Sequence, residues 1–377
     1  MNRIAEQTLR IVDLVLSFAL AGTVVYLGYV WYWQSYNSVL LAFLLILGGL
    51  FSSFVCKAFH ELGHILFGSC CGFRFNSVRI GFMNICRRDG KLKVFFSTLP
   101  DSIAGATEML PKDAKNLYPG FLATVAGGLI FSFLFLVACA VTLILYRIVP
   151  FAAYILVCTG LPYAFHLFFY NVLPFNDDNL DTDGGMLRGL IKKETSYLTA
   201  INILAIEGYL YQGKTPAEID KDLYFGLPQL PEDDVNFILL TSYRLMYYLD
   251  SGDIASAIKA SDRLEGLTEY IPKFYYNQIA AQILFCTCCL KGDADAAREK
   301  YEELRQYLLG EKTLQTYRTC AAYELYVNHD KMAALHALSA AQQRAEECDI
   351  EGMRKYERKL IACLRADLDE TDNEQTK

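Results

Sequence analysis

The chain has 377 residues, of which 53% are hydrophobic and 20% are charged, and its formal net charge is −7. This composition excludes disorder, a collagen-like fibre and a small disulfide scaffold, and a mean hydropathy of +0.21 is high for an ordinary soluble enzyme. Residues 1–186 have a net charge of +1 and residues 187–377 a net charge of −8. The acidic surplus of the soluble half argues against a nucleic-acid partner.

Four apolar segments in the first half are long enough to cross a hydrocarbon core of roughly 30 Å. We predict spans at about residues 11–33, 38–68, 120–147 and 151–173. The segment between the second and third spans contains eight Lys or Arg residues, whereas the connection between the first two spans contains none. We expect a multi-pass protein of a bacterial cell membrane, in contact with the lipid bilayer. The positive-inside rule predicts that both termini are in the cytoplasm.

A short β-structure is predicted between the second and third spans. Residues 73–96 are rich in β-branched and aromatic residues around Asp89-Gly90, and Asp-Gly is a strong hairpin signal. Two interpretations of this β-hairpin remain open. In the first, the hairpin pairs along a free edge with an extended substrate segment. In the second, it is a structural flap with no role in binding.

The second predicted span ends in the sequence His60-Glu61-Leu62-Gly63-His64. On a helix, residues i and i+4 share a face, so both imidazoles can bind one Zn²⁺ ion. Zinc lowers the pKa of a bound water to roughly 7, and Glu61 is placed to take the proton and return it to the leaving amine. Ionisable residues at membrane depth cost about 3 kcal/mol each on insertion scales, which favours a functional role over a structural one.

Catalytic zinc usually has three protein ligands, and residues 171–185 supply further carboxylates at the end of the fourth span. The same segment begins like a calcium-binding EF-hand loop over residues 179–184. The twelfth position of that loop would be Leu190, where a bidentate Glu is required, which argues against calcium. His166, in the fourth span, is either a functional group near the site or a buried histidine with one hydrogen-bond partner, and we favour the second interpretation.

The HExxH sequence and the segment at residues 171–185 together resemble those of the site-2 proteases, a family of intramembrane zinc metalloproteases. The resemblance covers residues 38–189 and depends on His60 to His64, the following Gly72, and an Asn-x-x-Pro sequence at Asn171 followed by Asp183-Gly184. It implies that His60, His64 and Asp183 are the zinc ligands and that Glu61 is the catalytic carboxylate. It also implies that Asn171 positions the substrate or stabilises the oxyanion.

Two features depart from the family's common pattern. Eight residues separate Pro174 from Asp183, where four are usual, so Asp181 is an alternative third ligand. We favour Asp183 because it alone is followed by Gly, which permits a tight turn. The third span carries Ala126-Gly127-Gly128 in place of a small-residue motif with Pro and Asn, and its small residues still allow close helix packing.

The second half reads as a soluble domain over residues 191–368, followed by a disordered tail at residues 369–377. Asp253, Asp293 and Asp330 each follow a turn and precede an Ala-rich helical segment, at intervals near 40 residues. This period is typical of stacked helical hairpins of the tetratricopeptide type, with each Asp capping a helix. Twelve scattered cysteines are predicted to be reduced thiols that pack as small hydrophobes.

The predicted fold class is therefore mainly α, with a multi-span membrane domain at residues 1–190 that contains a small β-hairpin, followed by the soluble repeat domain. The predicted function is that of an intramembrane zinc endopeptidase, which cleaves a membrane-protein substrate within or next to its transmembrane segment. The helical repeats are candidates for binding a protein or peptide partner. The alternative is a catalytically silent membrane scaffold that recruits a partner through those repeats. A proton-coupled transporter fits less well, because the four spans show no internal repeat of the kind that many transporters contain.

Overall fold

The computed structural model describes residues 3–88, 91–96, 105–177 and 180–375. It divides the chain into two compact units. One contains Met1–Leu110 and Tyr118–Lys193, and the other contains Pro111–Leu117 and Glu194–Lys377. The main break lies three residues from the boundary expected at residue 190. The short segment at residues 111–117 was not expected in the second unit.

Four segments of the first unit are helical, long and apolar enough to cross a membrane, as the sequence predicts. The first three are the single helices α1 (Arg3–Tyr32), α2 (Ser38–Cys70) and α3 (Leu117–Ile144). The fourth is interrupted by a 3₁₀ turn at Cys158–Gly160, which separates α4 (Phe151–Val157) from α5 (Leu161–Val172). Pro162 explains this interruption, because proline is accommodated only in the first turn of a helix.

The core of the membrane unit contains polar side chains that are satisfied by backbone groups. Tyr154 of α4 is completely buried, and its hydroxyl donates a hydrogen bond to the carbonyl of Val24 in α1. Ser52 of α2 donates to the carbonyl of Leu156. These bonds join α4 to α1 and α2, and breaking either would leave a buried polar group unsatisfied, at a cost on the order of 2–7 kcal/mol.

A four-stranded antiparallel sheet lies in the segment between α2 and α3, where a two-stranded hairpin was predicted. Its strands are β1 (Phe73–Ile80), β2 (Met83–Arg88), β3 (Lys91–Phe96) and β4 (Gly105–Pro111), in the spatial order β3-β2-β1-β4. The predicted hairpin is the β2–β3 pair, in which Arg88 is opposite Lys91. The Asp89-Gly90 turn itself lies outside the described residues. β4 was missed because its sequence, GATEMLP, lacks the apolar alternation of a strand.

The first unit ends with a small hairpin and a short helix. The hairpin pairs β5 (Asn176–Asp177) with β6 (Leu180–Asp181), and α6 (Asp183–Lys192) follows at once.

From Glu194 onward, all the regular secondary structure that the structure describes in the second unit is helical. Its helices are α7 (Thr195–Tyr211), α8 (Lys221–Phe225), α9 (Val235–Ser251), α10 (Ile254–Glu265), α11 (Lys273–Cys286), α12 (Ala294–Gly310), α13 (Leu314–Tyr326), α14 (Lys331–Glu346) and α15 (Glu351–Gln375). The last helix continues through most of the predicted disordered tail. No Pro or Gly follows Gly352, so nothing in the sequence interrupts that helix.

Three turns of the second unit repeat one local structure. Asp253, Asp293 and Asp330 are the N-caps of α10, α12 and α14, and each carboxylate accepts a hydrogen bond from a backbone N–H in the first turn of its helix. The predicted caps are thus confirmed. The residue before each Asp has a positive φ, and it is Gly252, Gly292 or His329. A tetratricopeptide-like repeat remains a prediction.

The cysteines are all free thiols, as predicted, and Cys286, Cys288 and Cys289 pack in the helical core of the second unit. Cys286 is fully buried, and this burial raises the pKa of its thiol to about 12. A thiol with such a pKa carries almost no thiolate at neutral pH, so Cys286 behaves as a small apolar side chain.

His329 has a φ of 54°, which is unfavourable for a residue with a Cβ atom. Its backbone is therefore strained relative to Gly252 and Gly292 at the equivalent positions. We expect His329→Gly to stabilise the α13–α14 pair by up to about 1 kcal/mol. Hydrogen exchange of these two helices, measured in the full chain in detergent, should become slower. The reciprocal variant Gly292→His, in open space at φ 66°, should accelerate exchange of the neighbouring helices. Faster exchange in His329→Gly would contradict this account.

Candidate metal centre

The two histidines of the HExxH sequence lie on one face of α2, as its spacing predicts. His60 is buried and His64 is largely buried, and their Nε2 atoms are 3.2 Å apart. The ring planes are nearly perpendicular, at 88°. Both Nε2 atoms therefore point at the same small volume beside the helix.

Helix α3 fixes the orientation of both rings. The Nδ1 atom of His60 lies 2.8 Å from the hydroxyl of Ser132, and the Nδ1 atom of His64 lies 2.9 Å from the carbonyl oxygen of Thr124. Ser132 and Thr124 lie about two turns apart on one side of α3, and His60 and His64 lie about one turn apart on one face of α2.

The contact with Thr124 also fixes which nitrogen of His64 carries the proton. A carbonyl oxygen only accepts hydrogen bonds, so Nδ1 of His64 is the donor and Nε2 of the neutral ring keeps its lone pair. Ser132 can accept from His60 in the same way. Both rings are then in the tautomer that binds a metal ion through Nε2.

Glycines allow the two helices to come this close. Gly63 of α2 and Gly127 of α3 face each other, and a Cβ atom on either would overlap the backbone carbonyl of the other. A Cβ atom on Gly128 would collide with the imidazole ring of His64. The Ala126-Gly127-Gly128 sequence thus serves the close helix packing that was predicted, and Gly128 in addition leaves room for a ligand ring.

The third member of the group is Asp183, at the N-terminus of α6. Its Oδ2 atom lies 3.3 Å from Nε2 of His60 and 3.4 Å from Nε2 of His64. Thr182 is the N-cap of this helix and accepts a hydrogen bond from Gly185 N–H. Gly184 packs against the carbonyl of Val172 at the end of α5, where no side chain would fit. This glycine is needed for close approach, and its φ is not in the left-handed region.

Several features show that the group suits a metal ion. The three atoms are all electron-pair donors, and Oδ2 of Asp183 is buried without a hydrogen-bond partner. Tetrahedral zinc ligands at about 2.0–2.2 Å from the ion lie about 3.3–3.5 Å from one another, close to the distances seen here. His60, His64 and Asp183 can therefore hold a metal ion.

Glu61 is buried beside the first histidine and is held by strand β4. The hydroxyl of Thr107 donates a 2.6 Å hydrogen bond to Oε2 of Glu61. The backbone of Gly105 lies against Oε1, where a Cβ atom would collide with the carboxylate. One oxygen of Glu61 is therefore bound to a hydroxyl, while the other faces a strand with no side chain at that point.

The remaining predicted residues have other neighbours. The side chain of Asn171 donates to the carbonyl of Leu167 within its own helix. Asp181 is exposed in the hairpin and is not part of the metal group. His166 lies 2.6 Å from Asp13, a buried carboxylate on α1.

Three residues of the site were missed at the sequence level. Ser132 carries a detectable signal, because it is a polar side chain in an apolar helix, four residues after Gly128. Thr124 carries none, because it contributes its main-chain carbonyl, which any residue could supply. Thr107 carries none, since its role depends on a strand that periodicity does not reveal.

Comparison with known proteins found no match: no protein-family model, no curated protein and no solved structure is similar to this chain.

Metal analysis of the purified chain tests the assignment of the third ligand. We expect about one zinc ion per chain after preparation with excess zinc, because three donors converge on one position. Asp183→Ala should lose most of this metal, whereas Asp181→Ala should keep it. Equal retention by both variants would exclude Asp183 as a ligand.

A substitution at Gly128 tests the metal site without replacing any of the three donor residues. We expect Gly128→Ala to weaken zinc binding about 10-fold or more, because its methyl group displaces the ring of His64. Titration against a chromophoric chelator measures this loss. Gly49→Ala is the matched control, since a Cβ atom at Gly49 meets nothing within 4 Å in the same membrane unit. An equal loss in both variants would mean that helix stability, and not the His64 contact, decides the affinity.

Proposed function

We propose that the chain is an intramembrane zinc metalloendopeptidase, as the resemblance to the site-2 proteases implies. The observation that carries this proposal is the combination of a three-donor metal group with an adjacent buried carboxylate, Glu61, that is not one of the donors. A structural metal site has no need of that carboxylate, whereas peptide hydrolysis needs a general base.

The proposed metal ligands are His60, His64 and Asp183. A zinc ion bound there would supply a Lewis acid and a water of lowered pKa. Two neutral imidazoles and one carboxylate are typical ligands of catalytic zinc, which leaves a fourth position for substrate or water.

The chain's own residues would move the proton. Glu61 accepts the proton from the attacking water through a carboxylate oxygen and returns it to the amine of the departing peptide. Thr107 holds the other oxygen of Glu61, which fixes the plane of the carboxylate. Asn171 has a second amide hydrogen beyond the one donated to Leu167, and this is the donor we assign to the developing oxyanion.

The substrate is proposed to bind as an extended segment. A helix hides its carbonyl groups in its own hydrogen bonds, so a peptide bond must be unwound before it is cleaved. β4 is the outer strand of the described sheet order, and it also contacts Glu61. A substrate strand that pairs with this edge would place its backbone next to the catalytic carboxylate.

The second unit is proposed to bind a protein or peptide partner. Its consecutive helices pack on one another, and three of its turns share one cap structure, which supports a tetratricopeptide-like repeat. Such a unit would select substrates or regulate cleavage. We further propose that both chain termini are cytoplasmic, from the distribution of basic residues.

The decisive variant is Glu61→Gln, which removes the base and keeps the size of the side chain. Labelling of new protein N-termini in membranes from cells that express the wild type should reveal cleavage within or next to transmembrane segments. These termini should be absent with Glu61→Gln, at equal chain abundance and unchanged zinc content.

Asp181→Asn is the matched control, because it neutralises an exposed carboxylate near the site that is not a donor to the metal group. It should leave the set of new N-termini unchanged. Identical N-termini with wild type and Glu61→Gln would instead support a catalytically silent scaffold that binds a partner.

A further inference from the structure

An arginine on α1 contacts the segment that carries the third metal donor. The guanidinium of Arg10 lies over the ring of Phe175, 4.6 Å from its centroid, and over the ring of Tyr170, 5.3 Å from its centroid. Its Nη1 atom donates a 3.0 Å hydrogen bond to the hydroxyl of Tyr170, and Glu6 neutralises its charge at 2.8 Å. Arg10 therefore bridges α1, the end of α5 and the loop that follows.

Phe175 transmits this contact to the cap of α6. Phe175 is completely buried, and its carbonyl accepts a 3.0 Å hydrogen bond from Thr182 N–H. Its own N–H lies 3.2 Å from the hydroxyl oxygen of Thr182, and that hydroxyl also bonds the carbonyl of Leu173. Phe175 and Thr182 thus close the base of the β5–β6 hairpin.

Thr182 directly precedes the third metal donor. Thr182 is the N-cap of α6, and Asp183 is the first residue of that helix. The position of Thr182 therefore determines the position of Asp183. A shift of Phe175 would move Thr182 through its hydrogen bonds, and it would move Asp183 with it. A continuous path of contacts therefore runs from Arg10 to the donor oxygen.

A second polar contact keeps α1 in place against α5. Asp13, one turn after Arg10, is buried and lies 2.6 Å from Nδ1 of His166 on α5. Charged and ionisable groups in an apolar helix bundle are costly unless they are paired. Both pairs lie between the same two helices, so α1 is fixed at two successive turns.

We propose that Arg10 is a positioning residue for the third metal donor: it clamps Phe175 and thereby holds Thr182 and Asp183 at the two histidines. This inference rests on the proposed metal site. It gives α1, which supplies none of the three metal donors, a specific role in metal binding. Partners that orient metal ligands typically contribute about 10- to 100-fold to metal affinity.

The test is the zinc dissociation constant of the full chain in detergent, measured against a chromophoric chelator. We expect Arg10→Gln to weaken zinc binding by about 10-fold, and Arg10→Lys to restore part of the loss because it keeps a cation over the rings. The Co²⁺-substituted Arg10→Gln protein should have an altered d–d spectrum, which reports ligand geometry directly. A wild-type spectrum and affinity in Arg10→Gln would overturn the inference.

Arg147 provides a closely matched control. Its guanidinium also lies over aromatic rings, 6.0 Å from the centroid of Trp31 on α1, and it also donates to a tyrosine hydroxyl, that of Tyr146. No contact of Arg147 given by the structure involves the Asp183 segment. Arg147→Gln should therefore leave zinc affinity unchanged, and an equal loss in both arginine variants would overturn the inference in favour of general stability.

A double-mutant cycle separates positioning from a folding defect. Phe175→Leu keeps an apolar side chain and removes the ring, so it should weaken zinc binding alone but add little to the loss in Arg10→Gln. Losses that multiply in the double variant would overturn the proposed path. A wild-type chain that binds no zinc would instead overturn the proposed function itself, so the two failures are distinguishable.

Discussion

The geometry of this protein depends on three electron-pair donors that face one another inside a largely apolar unit. Two imidazole nitrogens and one carboxylate oxygen lie 3.2–3.4 Å apart, and the carboxylate oxygen has no hydrogen-bond partner. Without a cation between them, this arrangement is repulsive and costly to bury. The surrounding contacts hold the donors in this arrangement. Helix α3 orients the two imidazole rings, and the N-cap of α6 positions the carboxylate.

Helix α3 carries most of this supporting role, although it contributes no donor to the metal. Thr124, Gly128 and Ser132 form one stripe that orients both imidazoles, and the carbonyl of Thr124 also determines which nitrogen of His64 carries the proton. The stripe is effective only because Gly63 and Gly127 let the two backbones touch. These small residues therefore have two roles: they allow the two helices to pack closely, and they leave room for the imidazole of His64.

Much of the fold and part of the site could be predicted from residue spacing alone. The four spans follow from uncharged runs, and the shared face of His60 and His64 follows from the period of a helix. The third donor required more than spacing, because Asp181 and Asp183 are both close to the motif. The structure separates them by one local feature: the hairpin places Asp181 in solvent, whereas the cap at Thr182 turns Asp183 inward.

What sequence could not provide are contacts between residues far apart in the chain. Thr107 reaches Glu61 only because β4 joins a sheet, and Arg10 reaches Phe175 only because α1 packs on α5. The spacing between Pro174 and Asp183 has a similar explanation. The β5–β6 hairpin lies between them, and its two ends meet at Phe175 and Thr182. Because the hairpin closes on itself, it returns the chain to the metal group, and it adds a buried aromatic ring over which the guanidinium of Arg10 lies.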